Sequence, residues 1–270
     1  MNVSMPRGST LAVASLVAIG FFLIAISLPP LFNPIFGEEP ESFWWPGTVA
    51  NGILYLATAA LVGVFRARLG VGLAMVLGML GFTLSLGWML SRFSIGFVTL
   101  PWPEVVVTGL LAAAHAVVVV GVLDGARRWN LIAELNPRRT AAAALLAGIG
   151  FALGLGPMGG GDYSITLTPI TMPREYQALE YTVAIAHFVA VAAIALNGRF
   201  ATIGSLAVAA AGFLLAVRVL AALAGFKRGV EFVSDSLSLW ALLLISELAV
   251  GLLLSASVWL VPRVRSGFCP

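Results

Sequence analysis

Two histidines, His115 and His187, are the first candidates for chemistry, because each interrupts a long apolar segment. Imidazole exchanges protons near neutral pH and is a common ligand of metals and haem iron. Glu104 and Glu175 mark the outer ends of the two segments. At the rise of an α-helix, each histidine lies about 16–18 Å from its segment end, near the middle of a membrane. Ionisable groups at that depth are costly, so they predict a functional site.

Further polar residues could serve the same site. Glu180 lies two helical turns before His187, and Tyr176 lies one turn before Glu180, so the three share one helical face. Glu180 or Tyr176 could accept the proton of a quinol bound near the outer edge. Arg218 could bind haem propionates, or it could neutralise Glu180 or Glu247 as a buried pair. A metal site that adds Glu247 to the two histidines is possible on depth alone.

The composition defines the surroundings of these residues. Of the 270 residues, 60% are hydrophobic and 10% are charged, whereas about 25% of a soluble globular chain is charged. So few charges cannot cover a water-soluble surface, which excludes a soluble enzyme and a disordered chain. The net charge of +3 is too dilute for a nucleic-acid interface. The single cysteine excludes an internal disulfide framework.

Eight apolar segments are long enough to cross a membrane as helices of about 20 residues. Sorting the Lys and Arg residues between them places ten on one side and four on the other, with Arg218 inside a segment. The more basic side is the inner one. We therefore predict an all-α polytopic membrane protein with about eight transmembrane helices, arranged as four hairpins with both termini inside, in the plasma membrane. The segments are 10–28, 47–65, 69–90, 104–123, 140–157, 175–196, 200–224 and 237–261.

An internal repeat aligns the third and fourth segments with the fifth and sixth, at a shift of about 72 residues. The repeat pairs His115 with His187 and Gly78 with Gly150. It predicts that the third to sixth segments form one four-helix bundle, flanked by a hairpin on each side. The predicted parts are an N-terminal hairpin over 1–65, the bundle over 66–199 and a C-terminal hairpin over 200–270.

The fourth and sixth segments run in the same direction, so a bundle can bring His115 and His187 face to face around a haem iron. The flanking helices then need small residues where they approach the ring, and they carry Gly78 and Gly150. This pattern resembles the membrane cytochromes of the b type, which place histidines on the second and fourth helices of a four-helix bundle and glycines on the first and third. That family usually has two histidines on each ligand helix. One histidine per helix implies a single haem b.

The resemblance implies a subunit that carries one bis-histidine haem b and transfers electrons between the quinone pool and other redox subunits, which dock on its outer face. Such a chain would be a lipid-embedded part of an oxidoreductase complex rather than a stand-alone enzyme. Two alternatives stay open. One is a haem-free, quinone-binding membrane anchor with contacts near Glu180 and Arg218. The other is a small transporter or scaffold subunit. The Gly-rich outer segment 157–174 could cover a site or dock a partner.

Overall fold

The computed structural model describes residues 5–27, 44–94, 102–132, 137–155, 174–196, 201–224 and 230–259. These residues form eight α-helices and no strand, so the predicted all-α class is confirmed. The helices are α1 (Arg7–Ile26), α2 (Trp44–Gly63), α3 (Arg68–Ser94), α4 (Trp102–Arg128), α5 (Pro137–Leu155), α6 (Arg174–Ala195), α7 (Ala201–Ala224) and α8 (Val230–Trp259).

Within the described ranges, seven of these helices are long and apolar enough to cross a membrane, and α2 contributes a shorter apolar stretch, Gly47–Gly63. Many of their large apolar side chains are exposed, among them Leu110, Val120 and Leu252 at 66%, 68% and 72%. An apolar surface of this extent is unfavourable in water and suits contact with lipid chains. These helices therefore indicate a multi-pass membrane protein.

Each predicted segment coincides with one helix, although several helices extend beyond their apolar stretch. Helix α4, for example, continues past its predicted end at residue 123 to Arg128. Its last turns carry an ion pair in which the guanidinium of Arg128 lies 3.2 Å from the carboxylate of Asp124, one turn earlier. Charged residues are tolerated there because a helix of 27 residues is longer than the hydrocarbon layer and reaches the polar interface.

The helices pack as two groups of four. Helix α1 contacts α2 and α4, and α3 contacts the same two helices, which closes a first four-helix unit. Helix α5 contacts α6 and α8, and α7 contacts the same two helices, which closes a second. Helix α3 joins the units by packing against α5 and α6. We call α1–α4 the first unit and α5–α8 the second unit. The predicted division into 1–65, 66–199 and 200–270 groups the helices differently and stays a prediction.

Small residues allow the helices of the first unit to approach closely. Gly20 of α1 faces Gly52 of α2, and a β-carbon on either glycine would lie 2.8–2.9 Å from the carbonyl oxygen of the other. Gly121 of α4 faces the carbonyl oxygen of Gly8 in α1 in the same way. Lipid supplies no hydrophobic force between helices, so van der Waals contact at such small residues stabilises the bundle.

Candidate functional site

The second unit contains a buried pair formed by His187 of α6 and Glu247 of α8. The Nε2 atom of His187 lies 2.8 Å from Oε1 of Glu247, and both side chains are buried. Helix α7 leaves room for this pair at Gly212, where any side chain would collide with the carboxyl group of Glu247. The pair thus occupies the interior between three helices.

The other ring nitrogen determines how this pair can hold a proton. Nδ1 of His187 lies 2.7 Å from the carbonyl oxygen of Val183. A carbonyl oxygen only accepts, so Nδ1 carries a hydrogen and donates it. Nε2 then either accepts a hydrogen bond from a protonated Glu247 or donates one to its carboxylate. Both forms contain one proton between the two side chains and have the same total charge.

Glu180 is a second buried carboxyl group of the second unit. It is completely buried, and among the described residues neither of its oxygens has a hydrogen-bond partner. It precedes His187 by two turns of α6, which is about 10 Å along the same helical face. The second oxygen of Glu247 also has no partner within the described part of the chain. Buried acceptors without partners are rare and suggest a functional role.

The first unit contains a corresponding pair of Tyr55 of α2 and His115 of α4. The Tyr55 hydroxyl lies 2.8 Å from Nε2 of His115, and the two rings meet edge to face at 5.6 Å. Nδ1 of His115 lies 2.6 Å from the carbonyl oxygen of Leu111. Because Nδ1 is the donor, Nε2 of the neutral imidazole can only accept, and the Tyr55 hydroxyl supplies its hydrogen at 2.8 Å. The same hydroxyl lies farther, 3.2 Å, from a second acceptor, the carbonyl oxygen of Leu77. Gly81 of α3 leaves the room that this imidazole occupies.

The structure does not bring the two histidines together. His115 lies inside the first unit and His187 inside the second, and α4 and α6 are not among the closely packed helix pairs. The Nε2 atom of each imidazole, which would face a haem iron, is hydrogen-bonded to another side chain. The predicted glycines also have protein neighbours: a β-carbon on Gly78 would lie 2.6 Å from Val119, and one on Gly150 would lie 2.9 Å from Phe188.

In the described structure, therefore, Gly78 and Gly150 serve close helix packing, and side chains such as Val119 and Phe188 lie directly beside them. The residues as placed do not fit a haem between the two histidines without rearrangement. A haem b at this position, and the electron transfer inferred from it, stay predictions from the sequence pattern.

The remaining predicted residues are spread over the molecule. The depth of Glu247 in its apolar segment predicts a possible metal ligand beside the two histidines. In the structure Glu247 contacts only one of them, His187. Arg218 lies on an exposed part of α7. Tyr176 lies in α6, but its side chain is outside the part of the chain whose side chains are described, as are residues 157–173 of the predicted outer segment. Among the described residues, no group of three His, Cys, Asp or Glu side chains could hold a metal ion.

Sequence reasoning missed Tyr55, which partners His115. A usable signal existed, because Tyr55 is one of only four tyrosines and lies inside an apolar segment. The criterion applied to the histidines, a polar group at depth in a membrane helix, would have selected it.

Comparison with known proteins adds no further assignment. No family model matches the chain, and searches of curated proteins and of solved structures find no match. The two buried pairs are therefore the features of the chain that point to a function.

Proposed function

We propose that this multi-pass membrane protein transfers protons, and that its working centre is the His187–Glu247 pair of the second unit. The observation that carries the proposal is the 2.8 Å contact between Nε2 of His187 and Oε1 of Glu247 inside the bundle. Histidine and acidic side chains that meet inside membrane proteins are typical of proton relays in pumps and transporters.

The chemistry of the pair supports this role. In water a carboxylic acid is a stronger acid than an imidazolium ion, so the shared proton can pass from the oxygen of Glu247 to Nε2 of His187. The transfer creates an ion pair from two neutral groups, which low polarity opposes and mutual attraction favours. Because these terms oppose each other, the two forms can lie close in energy, as a relay requires.

Glu180 supplies a second proton-binding group in the same unit. Its carboxyl group is buried without a described partner, and an ionised carboxylate in such surroundings is far more costly than the neutral acid. About 10 Å separates it from His187 along α6, so water molecules would have to bridge the two. With both termini inside, as the distribution of Lys and Arg predicts, Glu180 lies on the outer side of the pair.

The proposed topology, four hairpins in a plasma membrane, belongs to this proposal. The electron-transfer function, with one haem b or a quinone, is a separate prediction that the two buried pairs do not require. Either activity would place Glu180 on a route for protons from the outer side. The transporter alternative agrees more directly with two units that each enclose a polar pair.

Proton flux in liposomes tests the proposal. The purified full chain is reconstituted with a pH-sensitive dye inside, and a potassium gradient with valinomycin supplies the driving force. We expect flux above that of empty liposomes, and at least about a hundredfold loss in Glu247→Gln, the scale of removing a positioned acid–base group. Glutamine keeps the size and hydrogen bonding of the side chain but cannot release a proton.

The matched control is Glu104→Gln. Glu104 is also a buried glutamate, but it lies in the first unit, where it accepts a hydrogen bond from the indole of Trp88. This variant should conduct like the unmodified protein. Equal flux in Glu247→Gln and the unmodified protein, or no flux above empty liposomes, would overturn the proposal.

A further inference from the structure

The helices of the two units begin at nearly constant separations along the chain. The four helices of the first unit start at residues 7, 44, 68 and 102, and those of the second start at 137, 174, 201 and 230. Corresponding starts are thus about 130 residues apart in every case, with a spread close to that with which helix ends are defined. Both units also close in the same way, because the first and third helices each contact the second and fourth. The spacing of the helices along the chain, their order and their packing thus repeat together.

The buried face of the first helix repeats residue by residue. When the first residue of α1 is aligned with the first of α5, eight of the 20 residues of α1 are identical to their counterparts. Four of these identities are buried in both helices. They pair Ala12, Leu16, Ile19 and Gly20 with Ala142, Leu146, Ile149 and Gly150. Identity on the buried face indicates the same packing against the neighbouring helices.

Contacts between the first and second helices repeat as well. A β-carbon on Gly20 of α1 would lie 2.9 Å from Leu56 of α2, and one on Gly150 of α5 would lie 2.9 Å from Phe188 of α6. Leu56 directly follows the polar residue Tyr55, and Phe188 directly follows His187. The alignment of the two units therefore relates a tertiary contact in one to a tertiary contact in the other.

The two buried pairs obey this alignment at both of their members. In each unit the second and fourth helices supply the pair, and in each the two residues are separated by 60 positions. A shift of 132 residues takes Tyr55 to His187 and also takes His115 to Glu247. The first helices align at a shift of 130 residues, from residue 7 to residue 137. The third helices agree to within one position, since nearly the same shift takes Gly81 to Gly212, and these two glycines leave the room for the pairs.

We infer that the chain consists of two tandem copies of one four-helix unit, and that each copy has an interior site where its second and fourth helices share one proton. Tyr55–His115 is the site of the first unit. The shorter repeat predicted from the sequence instead pairs His115 with His187, which occupy different positions in their units. Only the longer shift relates both members of each pair.

The two sites differ in where the proton lies. A phenol is a weaker acid than an imidazolium ion, whereas a carboxylic acid is a stronger one. The proton of the first site therefore stays on the oxygen of Tyr55, and that of the second site can move to Nε2 of His187. The titratable group in hydrogen-bond contact with each imidazole is Tyr55 or Glu247, and Glu180 lies two turns from His187. The other helices place glycines against the pairs: Gly81 of α3 lies beside His115, Gly212 of α7 lies beside Glu247, and Gly150 of α5 lies beside His187.

The role of the second site rests on the proposed proton transfer, but the duplication and the proton positions do not. Nitrogen-15 NMR of the full chain, labelled only at histidine, measures the proton positions directly, because the chain has two histidines. We expect a protonated Nδ1 in both rings. Nε2 of His115 should have the shift of an unprotonated acceptor, and Nε2 of His187 should move towards that of a protonated nitrogen.

Two sets of variants complete the test. Tyr55→Phe should shift only the Nε2 signal of His115, and the control Tyr181→Phe, outside both pairs, should shift neither ring. In Glu247→Gln, the Nε2 signal of His187 should return to the shift of an unprotonated nitrogen. Adding Tyr55→His and His115→Glu to this variant exchanges the pair of the first unit for a histidine and a glutamate. One Nε2 signal, now from the first unit, should then again move towards the shift of a protonated nitrogen. Equal Nε2 shifts for His115 and His187 in the unmodified protein, or no effect of Tyr55→Phe, would overturn the inference even if the exchanged pair does not fold. Loss of flux alone would overturn only the proposed function.

Discussion

The two units build the same interior site from different acids, and this difference separates a fixed hydrogen bond from a transferable proton. In the first unit the phenol of Tyr55 donates to His115, and the neutral pair needs no charge to be satisfied. In the second unit the carboxyl group of Glu247 meets His187 at the same 2.8 Å. The backbone arrangement is shared, so the identity of the oxygen acid alone changes what the site can do.

The buried carboxyl groups of the two units differ in the same direction. Glu104 in the first unit accepts a hydrogen bond from Trp88. Glu180 in the second has no hydrogen-bond partner among the described residues. A satisfied buried acid contributes to stability or costs little, whereas an unsatisfied one lowers stability. The first unit is thus expected to hold the fold, and the second to carry the activity at some cost in stability.

The largest expected effect comes from removing each histidine in turn. His187→Ala should reduce proton flux in liposomes by at least about a hundredfold, because it removes the acceptor of the shared proton. His115→Ala should leave the flux close to that of the unmodified protein, because its pair lies in the other unit.

The same two variants test the haem predicted from the sequence. A reduced-minus-oxidised absorbance spectrum of protein prepared with haem available would show b-type bands if a haem is bound. If both single variants lost those bands, one group would be shared between His115 and His187, and the separation of the two units as independent sites would be wrong.

A smaller effect is expected from filling the space beside each pair. Alanine at Gly81 or Gly212 would force the third helix away from the polar pair, and overpacking of this kind costs about 1–3 kcal/mol. Denaturant titration should show similar losses of unfolding free energy for the two variants. Flux should fall only in Gly212→Ala. A loss of unfolding free energy in only one of the two variants would show that the two glycines are not equivalent.

An effect on stability of similar size but opposite sign is expected at Glu180. Glu180→Leu removes a buried carboxyl group without a described partner, so the free energy of unfolding should rise by about 1–3 kcal/mol. Flux should decrease, because a proton-binding group of the second unit is lost. Glu104→Leu is the comparison in the first unit and should lower stability, because it leaves the Trp88 indole without this acceptor. Destabilisation by Glu180→Leu would show that Glu180 is satisfied in the folded protein.

Prediction from sequence succeeded where the signal is local. The apolar segments coincide with the eight helices. Of the polar residues predicted inside them, His115, His187, Glu180 and Glu247 are buried, whereas Arg218 is exposed. Prediction of partners was less successful, because a residue's depth does not show which way it faces. The sequence pattern pairs His115 with His187, whereas the structure pairs His115 with Tyr55, a residue that the pattern does not single out.

By itself, then, the amino-acid sequence determined a helical membrane protein with a few polar groups in its interior. It could do so because about 20 consecutive apolar residues insert as a helix whatever surrounds them. Only the tertiary structure decided that the helices form two like units and that each unit encloses its own pair. That decision depends on small residues far apart in the chain, such as Gly20 beside Gly52 and Gly212 beside Glu247, which select the helix faces that meet.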